Sequence, residues 1–284
     1  MAAARVCANQ VKQQDRERWL QSMMLPKEHR LGFLALRALH LELAHVRDQV
    51  TQSSMAQIRL AWWRDSISNL FDQKDKLVSP DHPVLRALLP VICQTRPSKT
   101  WFLRVVNARE DELFIDSFQN IAEMEALFER MLSPVLYVSL ELVGIRKASA
   151  DHAASHLGKA AGLVNCIRRI PYSLGKEAAI LLPRDLLDKN PVDWLALRES
   201  KRSDALEALV FAIACQAKAH IEHARKIPDV PILANPVLLE AVILDHYLSC
   251  LEKENFNVFA PKLQSRSLSS LHIKFLYHWI KSDF

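Results

Sequence analysis

Helical periodicity runs through almost all of this 284-residue chain and limits the folds it can adopt. Apolar residues recur at i, i+3, i+4 and i+7, the spacing that places them on one face of an α-helix. Leucine and alanine are frequent, while runs of β-branched residues are sparse. The pattern predicts helices over residues 3–22, 30–50, 54–73, 83–95, 98–117, 121–145, 150–170, 203–227, 235–253 and 267–281. We therefore expect an all-α protein in which residues 1–284 form a single large helical bundle.

Glycine and charge exclude several classes of function. The glycines are too few and too scattered for a loop that cradles a nucleotide phosphate, and they are Gly32, Gly144, Gly158, Gly162 and Gly175. The net charge of +5 comes from basic residues dispersed among acids, without a long basic run or interleaved aromatic residues. This distribution predicts no nucleic-acid partner and only a weak bias towards anionic surfaces.

The cysteines and the apolar runs bear on compartment and membrane. Five cysteines lie far apart in the chain, which favours reduced, buried thiols over disulfides or a zinc site: Cys7, Cys93, Cys166, Cys215 and Cys250. No apolar run approaches the ~18 residues of a membrane-spanning helix. The N-terminal residues contain neither the apolar core of a signal peptide nor a clear organelle presequence. We expect a processed or truncated form, or a chain without such a signal.

Two predicted helices are apolar on nearly every side, over residues 31–46 and 152–167. A helix of this kind lies at the centre of a large bundle. Gly158 and Gly162 form a G-x-x-x-G pattern in the second of them, which allows another helix to approach closely. We expect this pattern to serve packing within the bundle.

Glu42 and His45 have the Glu-x-x-His spacing of di-iron bundles. Such a site needs a second Glu-x-x-His, and no other histidine in the sequence has an acid three residues before it. The simpler interpretation is a polar pair engaged in hydrogen bonds within the bundle.

Four further histidines occur in two helical pairs. His152 and His156 share a helix face, as the zinc ligands of H-E-x-x-H do, but the glutamate is missing and no third ligand is evident. Hydrogen bonding at the helix end is the alternative. His220 and His223 fit a solvated helix face.

The C-terminal segment SLHIKFLYHWIKSDF combines an apolar, aromatic face with Lys274 and Lys281. Two interpretations remain open for it. The segment can pack against the bundle as an amphipathic helix, or it can lie on a membrane surface.

The order of these elements resembles the squalene/phytoene synthase family, which comprises all-α prenyltransferases. The matching positions begin at the first buried helix and end with the family's second signature, and they are Leu25, Pro26, Arg30, Trp63, Arg64, Gly158, Ala160, Asn165, Ile167, Arg168, Leu182 and Pro183. The resemblance covers most of the chain and implies the isoprenoid synthase fold. It also implies two aspartate-rich motifs that face each other and hold Mg²⁺ ions, which bind and ionise a prenyl diphosphate.

Most of these acids are missing here. By resemblance, the first motif, D-D-x-x-D, keeps only its last acid, because it falls on Ala44, His45, Val46, Arg47 and Asp48. The second acidic pair falls on Arg169 and Ser173. Four of the five acids are therefore absent, and a fixed cation in a dry site repels Mg²⁺. The resemblance implies a pseudoenzyme with no metal and no cofactor.

The frame of the site is retained, and it predicts a vestigial cavity with five candidate residues, namely His45, Asp48, Asn165, Arg168 and Arg169. An isoprenoid lipid is a candidate occupant. Alternatives stay open for the charged members. Asp48 can be a solvated or paired acid at a helix end, and Arg168 can be paired within the bundle. Arg168 and Arg169 can also clamp a diphosphate without metal.

A narrower resemblance is to a divergent, non-catalytic branch of the family that acts in the assembly of mitochondrial complex I. The stretches LELAHVRDQV, DHAASHLGKAAGLV and ARKIPD carry it. It implies a location on the matrix side of the inner membrane, peripheral membrane association, and nascent complex I subunits or other assembly factors as partners. The alternatives are an active prenyl diphosphate transferase and a module that binds an isoprenoid or quinone.

Overall fold

The computed structural model describes residues 2–49, 52–72, 81–173, 182–193, 202–264 and 269–284. Within these ranges the regular structure is helical, apart from an isolated bridge between Phe118 and Pro183. The helices are α1 (Ala2–Gln14), α2 (Arg16–Ser22), α3 (Lys27–His45), α4 (Ser53–Asp72), α5 (Pro83–Thr95), α6 (Lys99–Glu112), α7 (Ile121–Leu142), α8 (Ala148–Ser173), α9 (Arg184–Lys189), α10 (Asp204–Lys226), α11 (Asn235–Leu238), α12 (Glu240–Lys253), α13 (Pro261–Gln264) and α14 (Ser269–Lys281). The predicted all-α class is confirmed. Gly175 lies outside the described residues.

The predicted helices differ from the observed ones mainly where a cap or a bend divides a segment. Residues 3–22 form two helices because the Asp15 side chain accepts a hydrogen bond from the backbone N–H of Arg18 and caps α2. Residues 235–253 divide at a bend of 44° between 232–238 and 240–253. By length and composition, the two parts of this bent pair together are long and apolar enough for a membrane span, whereas no single described helix is.

Helix α8 forms the centre of the bundle and packs along α7, α10 and α12. An added Cβ at Gly158 would lie 2.6 Å from the backbone nitrogen of Ser133 on α7. At Gly162 it would lie 2.2 Å from Cγ of Phe128 on the same helix. The predicted role of the G-x-x-x-G pattern in close packing is therefore confirmed.

A second apolar cluster joins α1, α3, α4, α5 and α6, in which α3 packs on α1 and α5, and α4 packs on α5 and α6. The α3 residues 32–39 are all buried. From His40 onwards α3 is more open, because His40, Leu41, Ala44 and His45 line a cavity. The prediction of burial on nearly every side therefore applies only to the first half of this helix.

Candidate functional site

A cavity of about 940 Å³ opens among α2, α3, α6, α7, α8 and α12. Its α7 and α8 walls carry small and apolar residues, which are Phe128, Met131, Leu132, Leu136, Gly158, Ala161 and Gly162. The other walls contribute most of the charge. Among the described residues that line the cavity, eight side chains are Arg or Lys and five are Asp or Glu. The cavity therefore combines an apolar surface with an excess of positive charge.

The structure brings all five sequence-predicted residues to this cavity. His45 ends α3 and Asp48 follows it, while Asn165, Arg168 and Arg169 lie on α8. A guanidinium nitrogen of Arg169 lies 3.7 Å from a carboxylate oxygen of Asp48. The two motif positions therefore face each other across the cavity, and both side chains are about half exposed.

His45 is not paired with Glu42. The side-chain amide of Gln10, on α1, donates a hydrogen bond of 2.5 Å to the carboxylate of Glu42. The Glu-x-x-His spacing therefore does not bring Glu42 and His45 together in one site. Ser173 ends α8, and its side chain lies outside the described part.

Glu112 is a buried carboxylate at the polar side of the cavity. Arg109, one helical turn earlier on α6, donates a hydrogen bond of 2.9 Å to it. Arg47 and Arg169 each approach its other oxygen to 3.7 Å. Burial raises the pKa of Glu112, but the surrounding arginines outweigh burial and hold this pKa below its usual range. The carboxylate is therefore ionised and fully committed to cations.

Glu240 forms a second, deeper ionic cluster at the start of α12 and is 1% exposed. Arg18 donates two hydrogen bonds to it, one of them from Nε at 3.2 Å, and Arg37 donates another at 2.9 Å. Burial raises the pKa of Glu240, but Arg18 and Arg37 overcome this and lower it to about 2. Three helices are thereby joined through one carboxylate.

Arg168 is held by Glu17 and by an aromatic ring. Its guanidinium donates two hydrogen bonds to Glu17, at 2.7 and 3.0 Å, and lies 4.3 Å from the centre of the Tyr247 ring. Burial raises the pKa of Glu17, but the charge and hydrogen bonds of Arg168, together with the charge of Arg18, outweigh burial and lower this pKa below its usual range. This geometry agrees with the interpretation of Arg168 as an arginine paired within the bundle.

The acids around the cavity do not suit a Mg²⁺ cluster. Hard cations that bridge phosphates need carboxylate oxygens that are available to them. Each of the five lining carboxylates instead forms an ion pair with arginine, and these are Asp15, Glu17, Asp48, Glu112 and Glu240. No group of three or more His, Cys, Asp or Glu residues in the described ranges is arranged to hold a metal ion. The residues present therefore do not fit the metal site that the family resemblance implies.

The two histidine pairs of the sequence meet elsewhere, between α8 and α10. Nδ1 of His156 lies 2.8 Å from Nδ1 of His220, and the His156 ring stacks on His223 with centroids 4.7 Å apart. Burial, then the neighbouring His220 and His223, lower the pKa of His156 to about 4. His220 is buried, so its predicted position on a solvated face was wrong.

Sequence reasoning missed Glu17, Glu112 and Glu240. A signal existed for the deepest cluster, because Arg37 and Glu240 interrupt apolar runs. A charge within such a run is buried only when it is paired. No signal connected the partners, which lie 203 residues apart in the chain.

Comparison with known proteins provides the family context. The family model for squalene/phytoene synthase matches residues 11–271. NADH dehydrogenase (ubiquinone) complex I, assembly factor 6 of Homo sapiens is 31% identical over 277 residues, which cover 97% of this chain and 82% of that protein. The Bos taurus protein of the same name is 32% identical, over 93% of this chain and 78% of its own length. The Drosophila melanogaster homolog of assembly factor 6 is 35% identical, over 89% and 76%.

Solved structures show the same architecture. A dehydrosqualene synthase in complex with ligand superposes with a TM-score of 0.82 at 19% identity, over 99% of this chain and 96% of that chain. A squalene synthase from Alicyclobacillus acidocaldarius gives 0.75 at 16% identity, over 90% and 95%. At these identities the likeness concerns the fold alone, and it confirms the predicted isoprenoid synthase fold.

Proposed function

This chain belongs to the squalene/phytoene synthase family, and we propose that it serves the assembly of respiratory complex I as a non-catalytic member. Its curated relatives are named as assembly factor 6 of complex I. The sequence similarity extends over most of their length and over most of this chain. The proposal gives the fold a structural role in binding other proteins. It assigns no chemical step to the cavity.

One observation carries the non-catalytic part of the proposal. Arg169 stands at a position where the family resemblance implies an acid, and it lies 3.7 Å from both Asp48 and Glu112. Its positive charge neutralises the charge of carboxylates that a metal ion would need as ligands. We propose that His45, Asp48, Asn165, Arg168 and Arg169 line the remnant of a substrate site.

Location and partners follow from the same relatives. Complex I assembly places the protein in mitochondria, and the finer proposal is the matrix side of the inner membrane, with peripheral membrane association. Nascent complex I subunits or other assembly factors are the proposed partners. We also propose that residues 1–284 form a single domain, which the packing of α8 against α7, α10 and α12 supports.

A second candidate function is binding of an isoprenoid or quinone in the cavity. The observation that favours it is the cavity itself, which has room for a ligand at about 940 Å³, an apolar wall, and a cationic excess. Such a ligand would stabilise the fold without being converted. This function is compatible with a role in assembly.

The decisive experiment uses cells that lack the protein and compares NADH-driven with succinate-driven respiration. We expect a loss confined to the NADH branch, because succinate bypasses complex I. Re-expression of the wild type and of Asp48→Ala should restore NADH-driven respiration equally. The half-exposed pair of Asp48 and Arg169 contributes only about 0–1 kcal/mol to the stability of the fold. Rescue by wild type alone would assign a function to Asp48, and equal loss in both branches would contradict a complex I role.

A matched assay in vitro separates assembly from catalysis. The purified protein, with Mg²⁺ and farnesyl or geranylgeranyl diphosphate, should release no product. Formation of a condensed prenyl product would contradict the non-catalytic assignment and support a transferase.

A further inference from the structure

Helix α14 presents a continuous apolar stripe to solvent. Ile273, Leu276, Tyr277 and Ile280 follow the i, i+3, i+4, i+7 spacing of a single helix face. Their exposed fractions are 70%, 51%, 51% and 75%. With Trp279, α14 holds five of the fifteen large apolar side chains that are exposed in the described part of the chain. Exposed apolar residues concentrated in this way mark an interaction surface.

The opposite face of α14 is already committed to the bundle. Leu271 and Phe275 are buried against Val242 and Ile243 of α12. Beyond the helix, the backbone carbonyl of Phe284 accepts a hydrogen bond of 2.6 Å from Arg225 on α10. The buried face of α14 therefore fixes the helix to the bundle. The exposed stripe lies on the opposite face and is not the face that packs against the bundle.

The charges beside the stripe indicate the kind of partner. Lys274 and Lys281 lie seven residues apart on one flank, and α14 contains no Asp or Glu. The Lys281 ammonium lies 4.6 Å from the centre of the Tyr277 ring. Aliphatic side chains flanked by lysine, with Trp and Tyr among them, are typical of helices that lie in the plane of a membrane interface. Positive charge without acids complements anionic lipid.

From this arrangement we propose that α14 is the surface through which the protein docks on an anionic lipid bilayer, its stripe inserted among the acyl chains and its lysines at the headgroups. Ser270 in the first turn of α14 also lines the cavity, as do Lys262 and Leu263 of α13. Docking therefore brings the rim of the cavity to the lipid surface. The biological meaning of this surface rests on the proposed function at an inner membrane.

The test is co-sedimentation of the purified full chain with two kinds of vesicle, phosphatidylcholine alone and phosphatidylcholine mixed with phosphatidylglycerol. We expect partition to the mixed vesicles, and a fall of about tenfold or more in the double variant Ile273→Glu and Ile280→Glu. The matched control is Ile58→Glu on α4, where the side chain is 63% exposed, and it should bind as the wild type does. The double variant Lys274→Gln and Lys281→Gln should lose about fivefold per lysine on mixed vesicles only. Thermal unfolding checks that each variant is folded.

Three results would overturn the proposal. The first is a wild type that sediments with neither vesicle, or equally with both. The second is vesicle binding that the α14 variants leave unchanged. The third is a lipid-free dimer that Ile280→Glu converts to a monomer, since the stripe would then join two copies of this chain. Respiratory rescue in cells is measured separately. A protein that binds vesicles but does not rescue respiration contradicts only the assembly function. A protein that rescues respiration but does not bind vesicles contradicts only the docking surface.

Discussion

Glu240 is a nearly inaccessible carboxylate that compensates two buried arginines, Arg18 and Arg37. Removing one side of a buried ionic cluster costs about 3–5 kcal/mol, because it leaves charge without compensation in a medium of low polarity. The variant Glu240→Gln keeps the shape and removes the charge. We expect its free energy of unfolding at neutral pH to fall by about 3 kcal/mol or more, as measured by denaturant titration.

The control for this prediction is Glu252→Gln, on the exposed side of the same helix. Its stability should stay within about 0.5 kcal/mol of the wild type. The pH dependence supplies a second check. The folded-state pKa of Glu240 is about 2, against an ordinary value of 4.5, so its contribution is present above pH 4.5 and is lost as the pH falls towards 2. A difference between wild type and Glu240→Gln that stays constant through this window would contradict the assignment.

His156 predicts a separate effect of pH, at milder acidity. Its folded-state pKa of about 4 lies below the ordinary 6.5, so the unfolded chain binds more protons between these values. Stability from neutral His156 is therefore full above pH 6.5 and declines as the pH falls towards 4. We expect His156→Gln to have a shallower loss of stability between pH 6.5 and 4.5, measured by denaturant unfolding. An unchanged slope would show that the ring does not titrate in this way.

At the residue scale, the sequence identified the cavity positions better than their partners. Asp48 and Arg169 were recognisable because a family pattern fixes their register, and the structure brings them within 3.7 Å of each other. Glu17, the partner of Arg168, lies 151 residues away and belongs to no motif. Pairing of this kind depends on how helices pack, which a helical period does not encode.

The contact between α7 and α8 depends on two glycines, and Gly158 is the more demanding of them. A Cβ there would lie 2.6 Å from a backbone nitrogen, which cannot turn aside as a flexible side chain can. Overpacking of a core costs about 1–3 kcal/mol, so we expect Gly158→Ala to lose about 2 kcal/mol despite its better helix propensity. Thermal and denaturant unfolding measure the loss.

Gly32 on α3 is the matched control for this substitution. Its added Cβ would lie 3.1 Å from one methyl group of Val91 and at ordinary contact distances of 3.5 and 3.6 Å from the other Val91 methyl group and from Leu142, so only side-chain atoms need to adjust. We expect Gly32→Ala to be neutral or slightly stabilising. Equal losses in both variants would mean that alanine harms these helices for a reason other than the α7 contact.

At the element scale, the existence of the long helices was predictable and their divisions were not. The ten predicted segments rest on a period that extends over many residues, so one mismatched position does little harm. The break at Asp15 depends on a single capping side chain, and α9 and α13 are too short to show a period. Local hydrogen bonding, not amphipathicity, determines such features.

For the molecule as a whole, the bundle shares the fold of solved squalene and dehydrosqualene synthases, and its cavity carries an excess of cationic side chains. The G-x-x-x-G contact and the buried first half of α3 support the walls of the cavity. Around it, each lining carboxylate is paired with arginine, and Arg169 joins Asp48 to Glu112. On the proposed function, packing and metal chemistry are separate requirements, because the walls of the cavity depend on the size of their residues and a metal site depends on free acids.

This separation predicts binding without metal. Farnesyl diphosphate offers an apolar tail to the α7 and α8 walls and a polyanionic head to the cationic excess. By calorimetry we expect its dissociation constant to change by no more than about twofold when EDTA removes divalent cations, and to weaken as salt increases. Farnesol, which lacks the charges, should bind about tenfold more weakly or worse. A strict requirement for Mg²⁺ would show that the acids can still hold a metal ion. If neither compound binds, the cavity serves packing alone, and the assembly function then rests on the outer surfaces of the bundle.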